Sequence, residues 1–364
     1  MLQTHSLLGE PLAASTLNEV AKLAGVSPAT ASRVLNGSAR TPGTEIAERV
    51  RGAAMELGYI ANAQAQALAR ASTGLIGLIV HDIADPYFST IARGVQRAAA
   101  QHKKVVLLAS TGGTPADEQE AVAAFAGRRA DAIVIAGSRS TREEDHDDNT
   151  ALARELERYR SNGGRVSVIG QQITGLSGEA DGLQVVGIPN RDLSRDLALK
   201  LAGMPYQHFI AIAGPEGLST SDDRLSGFQA GLAEAGKDAA QVLRVGFNRE
   251  GGYRAGLVIA AQLAQGSPGV PTCIFAANDV MAIGTMAALR KRGIRVPKDI
   301  GLAGFDDIET LRDFRPGLST VRLPLEEIGS QAISSVLPGA GPESGAPITG
   351  EVILRKSTAL PETQ

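Results

Sequence analysis

The pattern of apolar and polar positions changes character once along the chain. Residues 16 to about 60 carry short apolar stripes at three- and four-residue spacing, broken by tight turns, which predicts short helices and no strand. From Leu75 onward, continuous apolar runs alternate with helical stretches. They are LIGLIV at 75–80, VVLLAS at 105–110, AIVIAG at 132–137, VSVIG at 166–170, LQVVGI at 183–188, FIAIAG at 209–214, LRVGF at 243–247, CIFAAN at 273–278 and IGLAGF at 300–305. Runs this continuous predict strands covered on both faces, and the lengths between them suit crossover helices, so this part reads as parallel α/β. About nine strand units exceed one doubly wound sheet of usual size, which predicts two similar Rossmann-like lobes.

The helical part contains the most informative string, TLNEVAKLAGVSPATASRVLNG, residues 16 to 37. Thr16 with Glu19 three residues later forms a capping box, and Val20 and Leu23 mark the apolar face of a first helix, with Ala21 as a small packing residue. Ala24, Gly25 and Val26 read as a tight turn. Ser27 caps a second helix that begins at Pro28, turns Ala31, Val34 and Leu35 inward, and stops at Asn36 and Gly37. Two short helices joined by a glycine-containing turn make a helix-turn-helix, whose second helix can enter a DNA major groove. The outward positions are then Pro28, Ala29, Thr30, Ser32 and Arg33. Arg33 can bond guanine O6 and N7, Thr30 and Ser32 can hold phosphates, and Pro28 and Ala29 suit a thymine methyl.

Composition sets bounds on this picture. In 364 residues, 43% apolar and 21% charged positions are near globular averages, so sizeable cores are expected. A net charge of −3 excludes a generally basic protein that coats nucleic acid or anionic membrane without specificity. Residues 1–73 hold six basic and five acidic groups, which leaves −4 on the rest. A single cysteine, Cys273, excludes an internal disulfide and a multi-cysteine metal site. The first fifteen residues show no basic stretch followed by an apolar core, and no apolar run has membrane-spanning length, so a cytoplasmic protein without membrane contact is expected. NAQAQALARAST at 62–73 favours helix but lacks an apolar stripe, and reads as a linker that is helical only conditionally. STREEDHDDNT at 140–150 has no metal-ligand spacing and reads as a solvated surface loop.

Ligands of open α/β folds sit beyond the C-terminal ends of strands. There the sequence places Tyr87 and Phe88 after the first run, Thr220 and Arg224 after FIAIAG, and Phe247 at the end of LRVGF. Asn278 and Asp279 follow CIFAA, and Asp306 and Asp307 follow IGLAGF. Forked donors and carboxylates can take hydroxyl groups while rings cover C–H faces, as a polyol or sugar requires. Taken singly, each residue has a plainer role: aromatics near strands are usually core, Asn278 could cap a helix and Asp306 a turn. An enzyme is disfavoured. GxGxxG, GxxxxGK[ST] and GxSxG are absent, TGGT at 111–114 lacks phosphate-loop spacing, the five histidines are scattered, and Cys273 has no evident base. No cofactor is expected.

The strings VAKLAGVSPATASRVLNGSAR, ERV, ELGYIAN and TGLIGLIVHDIADPYF, and the terminal LRKSTALP, closely resemble the lactose-repressor (LacI/GalR) family of bacterial transcription regulators, over almost the whole chain. The resemblance implies an extension at 1–15, a helix-turn-helix headpiece at 16–61, a hinge at 62–73, and an effector and dimerisation domain at 74–364 of two periplasmic-binding-protein-type lobes. It implies a homodimer on double-stranded DNA with a near-palindromic operator, a repressor's function, and a small-molecule effector, a sugar or sugar derivative, between the lobes. It adds Thr16, Ser27, Asn36, Tyr59, Asn62, Ala65 and Leu68 to the DNA contacts, Leu68 as the wedge levered into the minor groove. It assigns Tyr87, Phe88, Thr220, Arg224, Phe247, Asn278 and Asp306 to the effector. The chain departs from the pattern at Ala61, where many members have proline, and in a longer loop near 40–46. Two further departures are Gln171 and Gln172, where sugar-binding members have an Asp-Arg pair, and Leu218, which is basic in purine-responsive ones. A non-sugar effector or a protein partner stays open as the controlling signal; a free sugar-binding protein would lack the headpiece.

Overall fold

The computed structural model describes residues 15–36, 42–60, 72–176, 182–265, 270–337 and 346–359. The chain divides into two compact units, Met1–Thr73 and Gly74–Gln364.

The described residues of the first unit form three helices, α1 (Leu17–Ala24), α2 (Pro28–Asn36) and α3 (Thr44–Glu56). The Thr16 N–H donates to Glu19 at 2.7 Å and the Glu19 N–H returns the bond to the Thr16 hydroxyl, so the capping box forms. Gly25 ends α1 in the left-handed region at φ 65°, and Val26 donates back to Ala21 at 2.9 Å. The core is small side chains: Val20, Ala21, Ala24, Ala31, Val34, Ala47, Val50, Ala53 and Ala54. Leu23 departs from expectation, because it is 48% exposed. Val20, Ala21 and Ala24 define the buried stripe, and Leu23 lies roughly 100° round the helix from its centre.

In the second unit, strands and helices alternate as β1 (Leu75–Val80), α4 (Pro86–Gln101), β2 (Val105–Ser110), α5 (Pro115–Gly127), β3 (Ala132–Ala136), α6 (His146–Ser161), β4 (Arg165–Ile169) and β5 (Leu183–Val186). The five strands form one parallel sheet in the order β2-β1-β3-β4-β5. The chain then crosses to a second lobe with α7 (Asn190–Ala202), β6 (His208–Ala213), α8 (Ser219–Glu234), β7 (Gln241–Arg244), α9 (Arg249–Ala264), β8 (Thr272–Ala276), α10 (Asp279–Lys291) and β9 (Gly301–Ala303). Its parallel sheet runs β7-β6-β8-β9, the same winding. After β10 (Thr320–Arg322) the chain returns to the first lobe as α11 (Leu325–Ser334), whose Ser330 bonds the Gly94 carbonyl of α4 at 3.1 Å; β11 (Glu351–Ile353) then pairs with β10, and a 3-10 turn at Lys356–Thr358 follows.

The nine apolar runs coincide with β1 to β9, except that LRVGF lies two residues late: β7 is Gln241–Arg244, Val245 still donates to the Ala213 carbonyl at 3.0 Å, and Gly246 and Phe247 lie beyond the strand. The antiparallel pair β10 and β11, three residues each, carries no apolar run and is unmarked in the sequence. Coverage of both faces holds for central strands, whereas the edge strand β2 leaves Val105 60% and Leu108 45% exposed. The segment 140–150 is exposed over 141–144 and 146–148, as a surface loop should be, but it is ordered: a 3-10 turn at Glu143–Asp145 leads into α6 at His146, Asn149 is buried and donates to the Ser140 carbonyl at 2.9 Å, and the Ser140 hydroxyl donates to Asp145. Among the described residues no helix is long and apolar enough to cross a membrane, and no cluster of three metal-binding side chains occurs.

Candidate functional site

In the first unit, the wall of Ala31, Val34 and half-buried Leu35 fixes which side of α2 faces out. Pro28, Ala29 and Arg33 are exposed, and Thr30 and Ser32 half-buried. The Ser27 hydroxyl accepts from the Thr30 N–H at 3.2 Å and pairs with its hydroxyl at 2.9 Å, so both side chains hold the helix start. Thr16 is occupied by its capping box, whose bonds keep the Glu19 carboxyl below its usual range. Tyr59 packs against the unit's core, and its N–H bonds Ala54 at 2.8 Å. The side chain of Asn36 lies outside the described residues, as do Asn62, Ala65, Leu68 and Ala61.

In each lobe the winding reverses between the first and third strands, β1 and β3 in one, β6 and β8 in the other, and open α/β sheets leave a crevice beyond the strand ends there. Arg224 occupies this place in the second lobe. Its guanidinium is buried, with Nε bonding Asn190, Nη1 the Ala277 carbonyl and Nη2 Asp306, each at 2.8 Å, and its Cζ lies 3.9 Å from the centre of the Phe305 ring. Asp306 sits at φ 117°, outside ordinary helical and extended backbone, because its N–H and C=O are tied to Val321 and Leu323. Burial raises its carboxyl to about 7 despite Arg224. It can therefore stand near neutral pH as acceptor or donor toward a hydroxyl. Burial also raises Asp85 and holds Asp279 well above its usual range, while the Thr320 hydroxyl donates to Asp279 at 2.7 Å. Asp307, by contrast, is held low: burial would raise it, and Arg355 and Arg322 override that.

Of the other expected effector residues, Tyr87 and Phe88 open α4 with rings 5.0 Å apart, edge to face, and Phe88 also lies 5.4 Å from His81. Asp85 caps that helix through the Tyr87 N–H at 2.9 Å; burial raises the Tyr87 hydroxyl, reinforced by the Asp306 charge. Phe247 is half-buried against apolar clusters it shares with Tyr87. Asn278 is the cap of α10, its side-chain oxygen accepting from Met281 at 2.8 Å, so the plainer role holds for that atom. Thr220 enters through its N–H, which donates to Ser138 across the lobes at 2.9 Å. Gln171 reaches Asp223 in the other lobe, and the Arg139 N–H bonds Ser219 at 2.9 Å.

Sequence reasoning missed Asn190, Phe305 and Ser138, which complete the Arg224 environment and the seam between lobes. It also missed a buried cluster at the first lobe's strand ends, where Arg139 grips Glu118 through two bonds at 2.6 and 2.8 Å and His81 lies 3.4 Å from the same carboxylate. Burial would raise Glu118, and Arg139 overrides it and holds the carboxyl down at about 2. Asn190 alone had a signal, a polar residue directly after the proline of the lobe crossing.

Residues 16–62 match the family model for bacterial regulatory proteins of the lacI family, and residues 198–358 match that for a periplasmic binding protein-like domain. The chain is 30% identical over 361 residues to the HTH-type transcriptional repressor CytR of Escherichia coli K12, covering 96% of this chain and 98% of that one. The chain belongs to the lacI family of bacterial regulatory proteins. As such it is a DNA-binding transcriptional regulator of the class controlled by small-molecule effectors. Among solved structures it resembles the lac repressor dimer bound to operator and the anti-inducer ONPF in fold alone, at TM-score 0.77, 24% identity and coverage of 95% and 99% of the two chains. It also resembles the regulator CelR in complex with cellobiose, at TM-score 0.63, 26% identity and coverage of 94% and 99%.

Proposed function

We propose that this lacI-family regulator is a cytoplasmic homodimeric repressor, without catalytic activity, whose operator affinity is set by a sugar or sugar-like metabolite held between the two lobes. The working divisions are residues 1–15 as an extension, 16–61 as the operator-reading headpiece, 62–73 as hinge and 74–364 as sensor. Arg33 reads a base edge, Pro28 and Ala29 make apolar base contacts, and Thr16, Ser27, Thr30, Ser32, Asn36, Tyr59, Asn62 and Ala65 line the backbone or hinge, with Leu68 as wedge.

The observation that carries the sensor reading is the buried Arg224, which spends one bond each on Asn190, Ala277 and Asp306 and retains donors on its two terminal nitrogens. Asp306 has a second oxygen for a ligand hydroxyl, Tyr87, Phe88 and Phe247 supply aromatic faces, and Thr220 and Asn278 stand at the starts of α8 and α10. CelR is solved with cellobiose, which supports a carbohydrate as the first class to test. The ligand acts by its differential affinity for two lobe arrangements, which the dimer transmits to the operator.

The test is operator binding by fluorescence anisotropy with the full chain, titrated with mono- and disaccharides and their phosphates after a thermal-shift screen. A carbohydrate that raises the melting temperature and changes operator affinity is expected. Thermal shifts from nucleosides or amino acids alone would overturn the sugar reading.

A further inference from the structure

The two lobes are joined by more than the chain crossings after β5 and before α11. The loop that leaves β3, residues 138–141, runs antiparallel to the segment that opens α8, residues 217–220, with Ser140 and Leu218 facing each other as a bridged pair. Main-chain bonds flank that pair: the Thr141 N–H donates to the Gly217 carbonyl at 2.8 Å, and the Ser219 N–H to the Arg139 carbonyl at 2.9 Å. Side chains add to them. The Arg139 N–H donates to the Ser219 hydroxyl at 2.9 Å, the Thr220 N–H to the Ser138 hydroxyl at 2.9 Å, and the Thr141 hydroxyl to the Gly217 carbonyl at 3.2 Å. The side-chain partners stand 76 to 82 residues apart in sequence, so only the approach of the lobes makes these bonds. Arg139, Ser140 and Ser219 are buried, which shields the bonds from competing water.

Each half is braced within its own lobe. In the first, Arg139 is fixed by its two bonds to Glu118, and the Ser140 carbonyl accepts from Asn149 at 2.9 Å. In the second, Gly217 sits at φ 78° with its N–H on Asp222 at 2.8 Å, and a β-carbon there would lie 2.6 Å from Arg142 Cγ of the first lobe. Glycine meets both demands, the left-handed backbone and the close approach. The second half is also the first turn of α8, the helix that carries Arg224 one turn beyond Thr220. Bonds that share one register form and break together as the lobes move, which gives the contact two discrete states.

We propose that segments 138–141 and 217–220 are a clasp that holds the two lobes in one arrangement and thereby sets operator affinity. The proposal rests on the reading above that the lobe arrangement governs operator binding. The bonds that hold the clasp come from the chain itself, so its strength fixes how far the two arrangements are balanced before any ligand contributes its differential affinity.

The experiment uses the full chain and an operator selected from a random duplex pool, with no carbohydrate added. Amide hydrogen exchange by mass spectrometry and operator affinity by fluorescence anisotropy are followed for the wild type and for Ser138→Ala/Ser219→Ala. In the wild type both segments should exchange slowly. The serine variant should exchange roughly tenfold faster in both together, while β3 and the middle of α8 stay as slow as before. Its operator affinity should shift by about fivefold or more, the lower end of ordinary allosteric coupling. Ser140 and Leu218 form a non-hydrogen-bonded antiparallel pair, whose spacing suits a disulfide. Oxidised Ser140→Cys/Leu218→Cys should therefore consume both new thiols while buried Cys273 keeps its own. The same disulfide placed in the serine variant should return operator affinity to the wild-type value, and reduction should undo the return, a rescue that a merely structural defect does not give. Fast exchange of either segment in the wild type, or no disulfide, overturns the clasp alone. Exchange that responds to the serine substitutions with operator affinity unchanged overturns the proposal together with the reading that lobe arrangement governs operator binding.

Discussion

Truncating Asp306 isolates the energetics of the sensor site. Asp306→Ala removes the carboxylate 2.8 Å from Arg224, in a pair whose side chains are 2% and 6% exposed. The remaining partners of the guanidinium, Asn190 and the Ala277 carbonyl, are neutral, so a buried charge is left without its counter-ion. Breaking such a pair costs about 3–5 kcal/mol. At about 2 °C per kcal/mol for a domain this large, the melting temperature should fall roughly 6–10 °C. Asp306→Asn keeps the acceptor oxygen and the volume of the protonated acid, so near pH 4 it should melt within about 2 °C of wild type.

The pH dependence separates the two contributions. Because burial lifts the Asp306 carboxyl from 3.8 to about 7, the folded chain holds its proton more tightly than the unfolded one. Its contribution is therefore greatest below pH 4 and declines as pH rises toward 7. Wild type should lose stability relative to Asp306→Asn across that interval in differential scanning calorimetry of the full chain. An Asp306→Ala melting temperature within 2 °C of wild type, or a wild-type advantage that grows from pH 4 to 7, would refute the reasoning.

Three other outcomes follow from the same geometry. Arg33→Ala, at an exposed position of α2, should weaken specific operator binding by about 1–3 kcal/mol and relax base choice at one position of each half-site, with an unchanged footprint counting against it. Glu118, held at about 2 by Arg139 against burial, contributes on the order of 3 kcal/mol above pH 4.5. That contribution should vanish as pH falls through 4.5 toward 2, and acid melts of Glu118→Gln should lack this slope. A β-carbon at Gly227 would lie 2.0 Å from the Arg191 carbonyl oxygen, so Gly227→Ala should force α7 and α8 apart and lower thermal stability by at least about 1–3 kcal/mol, read by calorimetry.

What the sequence determined by itself was whatever depends on neighbours along the chain. The capping box at Thr16, the turn at Gly25, the outward set on α2 and nine of the eleven strands among the described residues follow from spacing, propensity and continuous apolar runs, which act over a few residues. Strand ends also mark where a ligand site lies, because the parallel winding is itself a local pattern repeated. Leu23 was misread because one extra apolar residue fits a helical stripe in sequence, while only the packing of α2 and α3 decides which arc is buried. The short pair β10 and β11 escaped notice because its strands are stabilised by each other and by α7, not by their composition. Tertiary structure alone brought Asn190, Asp306 and Phe305 onto Arg224, set Arg139 on Glu118, and joined Gln171 to Asp223. Those contacts span 21 to 82 residues. A buried charge exists only once the chain has closed around it, so the burial and charge pairing that raise Asp306 and lower Glu118 arise with the fold.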